Sequence, residues 1–171
     1  MINTKWSRKG LNSQKLGCFG EYYAKMALAS YGFDIYSSEV DDHGIDFVAE
    51  TGLHHFLRFQ VKTIRTATTG YVFMHQYSYM NVGKGLLAEK SLAFSPDDES
   101  LFVVLLLLED GKEPNMYIIP SSAWKKDSGT TFVYRENYEK PEYGINISQK
   151  NITQYLQEYS IYNMIDLLLN K

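Results

Sequence analysis

A chain of 171 residues with 44% apolar and 15% aromatic content can bury a sizeable core, and its formal charge of −3 argues against a protein that coats nucleic acid indiscriminately. The lone cysteine, Cys18, excludes an internal disulfide and makes a reducing compartment the default. The N-terminus lacks the apolar stretch of a signal peptide, and the longest apolar run, 101–108, is too short to span a bilayer. The expectation is a cytoplasmic α/β protein forming a single domain over residues 1–171, with no membrane segment.

In chain order, residues 1–13 are polar and basic and read as a loose lead-in. Residues 14–31 predict a helix stopped by Gly32. Gly17, Glu21, Ala24 and Leu28 recur at helical spacing, so they are expected to share one face. Glycine costs a helix up to about 1 kcal/mol relative to alanine. Gly17 and Gly20 in one turn therefore suggest a helix pressed closely onto a sheet, bringing Glu21 to the sheet surface. Residues 33–40 predict a first strand and 41–44 a loop. Residues 45–50 and 55–65 predict a hairpin turning at Thr51-Gly52-Leu53-His54.

Alternation along a strand puts Gln60 and Lys62 on the same face. The hairpin register that sets Val48 opposite Arg58 also sets Asp46 opposite Gln60, about 5 Å apart. One face would then gather a carboxylate, an amide and an ammonium. Residues 71–80 alternate aromatic and smaller residues and predict one strand. Two more apolar strands are expected at 101–109 and 115–120, joined by a turn, and short edge strands at 131–135 and 145–147. A long amphipathic helix, about 151–169 with Asn151 as its cap, closes the chain.

The segment 14–65, with Glu21 on the helix, Asp46 opening the second strand and Gln60-Val61-Lys62 on the third, resembles the PD-(D/E)XK nuclease superfamily. That group includes restriction-endonuclease-like and Holliday-junction-resolvase-like proteins. The order helix, three strands, further strands and a helix is also that of the superfamily. The resemblance implies a restriction-endonuclease-like fold, a mixed β-sheet flanked by helices with an αβββ core. It further implies Mg²⁺-dependent (or Mn²⁺-dependent) hydrolysis of DNA phosphodiester bonds in a restriction, repair or defence setting. DNA is the implied partner, with a homodimer as one arrangement.

By the same resemblance Glu21, Asp46, the Gln60 amide oxygen and the Val61 carbonyl would be the protein's metal ligands, and Lys62 the group beside the attacking water and phosphate. The sequence departs from the commoner pattern in one place: Gln60 stands where an acid is usual. Losing that negative charge lowers metal affinity. The alternative reading is therefore a catalytically inactive nuclease-fold module that binds nucleic acid or a protein.

The remaining candidates are weaker. Lys15, Arg58 and Arg65 could contact phosphates, as could Lys5, Arg8, Lys9, Lys125 and Lys126, although each is also an ordinary solubilising charge. The aromatic stripe Tyr71, Phe73, Tyr77 and Tyr79 is expected to pack against the core rather than stack bases. Cys18 reads as a packing residue and Ser121-Ser122 as a helix start. The four histidines show no zinc-ligand spacing.

Overall fold

The computed structural model describes residues 5–7, 10–37, 44–52, 54–83, 86–125, 131–136 and 140–170. Helix α1 spans Ser13–Ser30. The Asn12 side chain accepts from the Lys15 amide at 2.9 Å and so satisfies one of the orphan donors of the first turn. At the other end Gly32, at φ 93°, donates to the Ala29 carbonyl, and Phe33 donates back to Leu28. This pair of bonds is a Schellman stop, which requires the left-handed conformation that glycine adopts freely. The expected boundaries of this helix therefore hold.

Its buried stripe is Leu16, Gly20, Ala24 and Leu28: the expected Ala24 and Leu28 belong to it, while Gly17 and Glu21 each lie one position off, at its margin. Only Gly20 is pressed. A Cβ there would lie 1.7 Å from Thr63 Oγ1, whereas one at Gly17 would meet nothing within 4 Å.

The main sheet has five strands in the order β1-β2-β3-β7-β8. These are β1 (Asp34–Ser37), β2 (Phe47–Glu50), β3 (Phe56–Arg65), β7 (Leu101–Leu108) and β8 (Asn115–Pro120). The β3–β7 pair is parallel and the others are antiparallel, so the sheet is mixed. All eight residues of β7 are buried, as expected of a central strand covered on both faces.

A second sheet has the order β4-β10-β9, formed by β4 (Tyr71–His75), β10 (Glu142–Asn146) and β9 (Phe132–Arg135). The expected edge strand near 145–147 is thus the middle strand of its sheet. The expected single strand 71–80 is two, because Gln76 breaks it. Beyond Gln76, β5 (Tyr77–Gly83) pairs with β6 (Leu86–Leu92) as a separate two-stranded ribbon, whose second strand carries no clear sequence signal.

Two further expectations are corrected. The lead-in is docked: Trp6 is buried against Phe19, with ring centres 4.9 Å apart, and Ser7 bonds Asp110. The closing helix is broken into α2 (Ile152–Tyr155), a short 3₁₀ turn and α3 (Ile161–Leu169). Asn151 sits at φ 71° and makes no side-chain cap. Ser160 leaves helical geometry to form a β-bridge with Tyr117, so a tertiary contact with β8 overrides the local helical pattern. No helix among the described residues is long and apolar enough to cross a membrane.

Candidate functional site

The β2–β3 register pairs Phe47 with Phe59, Val48 with Arg58 and Glu50 with Phe56, as the parity of the two segments requires. Phe47 and Phe59 stack at 5.0 Å on the α1 side of the sheet, where Thr63 also meets Gly20. Strand alternation therefore turns Gln60 and Lys62 to the opposite face. Asp46 lies just before β2. Its amide donates to the Phe59 carbonyl at 2.9 Å, and its carboxylate accepts from the Val61 amide at 2.5 Å. The side chain thus takes over a donor at the point where the ladder ends. Among the described residues no strand pairs with residues 60–65 on the β2 side, so β3 has an open margin there.

Gln60 and Lys62 line a cleft of about 270 Å³ with Gly44, Phe73, His75 and Ser78. Gly44 is held at φ 68°, and a Cβ on it would stand 3.0 Å from Gln60 Nε2, so glycine lets the backbone at this position approach the amide. Asp46 borders this region without forming a wall of the cleft. Glu21 is half-buried and follows Gly20, the residue of α1 that meets Thr63 of β3. The fold thus sets Gln60 and Lys62 in one cleft and Asp46 against the amide of Val61 between them, while Glu21 follows Gly20 on α1. Among the described residues no group of three or more histidine, cysteine or acidic side chains is gathered as a metal site. A larger cleft, of about 620 Å³, lies between α1, β8 and the C-terminal helices and holds none of these residues.

His75 was not singled out by sequence. Burial holds it below the ordinary imidazole range and the charges of Lys140 and Lys62 push the same way, while Glu142, with Oε2 4.0 Å from Nδ1, opposes them. Its position two residues beyond Phe73 on an alternating strand was the available signal.

The basic candidates spend donors inside the fold. Arg58 bonds Asp98 and Ser100, Arg65 bonds the Leu11 carbonyl, Lys15 bonds the Gly10 carbonyl and Lys125 pairs with Asp97. Arg8, Lys9 and Lys126 lie outside the described residues, as do residues 38–43 and Leu53 of the expected strand end, loop and turn. Cys18 is exposed rather than packed. His54 pairs with Glu50 at the surface, and Ser121 opens a 3₁₀ turn as expected.

No family model and no curated protein matches the chain. A solved structure does: a bacterial homing endonuclease superposes with a TM-score of 0.59 over 93% of this chain and 94% of that one, at 15% sequence identity. The two chains share a fold. In this chain that fold is a mixed sheet flanked by helices, with the Gln60–Lys62 cleft on the face opposite α1.

Proposed function

We propose that this protein is a divalent-metal-dependent DNA endonuclease of the PD-(D/E)XK type, in its Gln-x-Lys form, acting in restriction, repair or defence. The observation that supports the reading is the bond of the Asp46 carboxylate to the amide of Val61, the residue between the cleft-lining Gln60 and Lys62, in a fold shared with an endonuclease. Glu21, Asp46, the Gln60 amide oxygen and the Val61 carbonyl would hold Mg²⁺ or Mn²⁺, an all-oxygen set that suits a hard cation. When bound, such an ion activates water and offsets charge on the phosphate. The Val61 amide fixes the orientation of the Asp46 carboxylate. Lys62 presents its ammonium to the phosphate in the cleft and stabilises the charge that grows there during hydrolysis.

The second reading is a nuclease-fold module that binds nucleic acid without cutting it. Gln60 in place of an acid, and the lack of a three-acid cluster among the described residues, favour it. Incubating the protein with duplex, single-stranded and branched DNA in Mg²⁺ or Mn²⁺ separates the two. The expected result is cleavage by wild type and a loss of about a hundred-fold or more in Lys62→Ala, with an unchanged thermal melt. Gln60→Glu should hold or raise activity by restoring the charge. Binding without any cutting by wild type would replace the first reading with the second.

A further inference from the structure

Along β4 the alternation runs opposite to the core-packing expectation. Val72 and Met74 are the buried residues, while Tyr71, Phe73 and His75 face outward, with Phe73 42% exposed. These outward rings form a row. Tyr71 and Phe73 are 6.0 Å apart and nearly parallel, Phe73 and His75 are 5.0 Å apart, and His75 meets Tyr79 of the ribbon at 6.2 Å. The neighbouring strand presents Gly144 opposite Phe73. A Cβ at Gly144 would lie 2.0 Å from the Tyr71 hydroxyl, so the glycine is what lets the Tyr71 ring lie down across the sheet.

A cation stands at each end of the row. The Arg135 guanidinium lies 4.0 Å from the Tyr71 ring centre and the Lys140 ammonium 5.4 Å from that of Tyr79. Glu142 is buried beneath this face against Arg135 and His75. Phe73 and His75 also line the cleft of Gln60 and Lys62, so the middle of the row borders the proposed cleavage site.

We propose that the outer face of the β4–β10–β9 sheet is a stacking track for unpaired bases of a DNA strand leaving the Gln60–Lys62 cleft. The inference rests on the nuclease reading and adds its substrate class: DNA with a single-stranded or splayed segment beside the scissile phosphate. Aromatic rings hold bases by their π-faces without regard to sequence, and the flanking cations complement the phosphates. A DNA strand carries a base and a phosphate in every repeat, so it can match rings and cations together, which is why DNA is the occupant argued for.

The test measures binding by fluorescence anisotropy in Ca²⁺, with a blunt duplex and the same duplex carrying a single-stranded tail, alongside cleavage in Mg²⁺. Wild type should favour the tailed probe by about ten-fold or more. Tyr79→Ala should weaken tailed binding by roughly ten-fold, with blunt-duplex binding held, and Phe73→Trp should keep the preference. Equal affinity for the two probes, or equal losses on both, overturns the track, as does binding to neither. So does a dimer in sedimentation that Phe73→Ala dissociates, which would make the face a contact between copies. Lys62→Ala keeps the tail preference while losing cleavage. Cleavage without tail preference leaves the nuclease reading standing and ends this one; tail preference without cleavage does the reverse.

Discussion

Asp46 carries two duties that a single substitution separates. Its carboxylate satisfies the Val61 amide where the hairpin ladder ends, and the same group is the proposed metal ligand. Asp46→Asn keeps an oxygen that can accept from Val61 and removes the charge. The fold should therefore lose only about 1 kcal/mol, the difference between a hydrogen bond to a charged acceptor and one to a neutral acceptor. A bound cation stabilises the native state by mass action, reaching about 2.7 kcal/mol at a hundred times the dissociation constant. Wild type should accordingly melt higher in millimolar Mg²⁺ or Mn²⁺, and Asp46→Asn should not. An identical metal response in the two proteins would place the cation elsewhere. At this scale the i, i+2 pair Gln60 and Lys62 was legible, because strand alternation is a local property. His75 was not, because its place beside them depends on how the second sheet crosses the first.

Between elements, the closest fit is that of α1 on β3. Replacing a mid-helix glycine by alanine ordinarily favours a helix by up to about 1 kcal/mol. At Gly20 the new methyl would meet Thr63 Oγ1 at 1.7 Å and Thr63 Cβ at 3.0 Å. Overpacking of this kind costs about 1–3 kcal/mol, so Gly20→Ala should destabilise in net, where Gly17→Ala should be neutral or stabilising. Thr63→Ala removes the hydroxyl that clashes, so the double substitution should recover much of the loss, with a coupling of about 1 kcal/mol or more in a denaturation cycle. Additive effects would mean that the contact is not what fixes the helix. Both ends of α1 could be read in advance since the Asn12 cap and the Gly32 stop are local. Ala24 and Leu28 of its buried stripe were legible too, but its first half is Leu16 and Gly20 rather than Gly17 and Glu21, because hydrophobic periodicity does not say which of two glycines is pressed. The break at Ser160 and the pairing of β5 with β6 were illegible for a related reason: each depends on a partner far along the chain or carrying a weak pattern of its own.

Across the whole molecule, the open question is whether the two sheets melt as one unit. Their junction is aromatic. Trp124, 1% exposed, packs edge-on against Phe94 and Phe132, Phe94 meets Tyr143 of β10, and Phe132 meets Tyr159 near the C-terminus. The Trp124 indole N–H finds no acceptor among the described residues, so the residue is held there by its ring rather than by its polar group. Trp124→Ala should cost about 3–5 kcal/mol, the usual range for emptying a buried aromatic site. The chain has two tryptophans, and Trp6 sits on the far side, against α1 and the turn after β7. In the Trp124→Ala protein its fluorescence therefore reports on the five-stranded sheet alone, while far-UV circular dichroism reports on both sheets. If the sheets share one cooperative core, the two signals should move together to a lower denaturant midpoint. If the second sheet is a separate unit, Trp6 should keep its wild-type midpoint while part of the dichroism is lost earlier. We expect the coincident shift, because the buried side chains of both sheets join in a single apolar cluster, with Phe94 and Phe132 packed on the same indole.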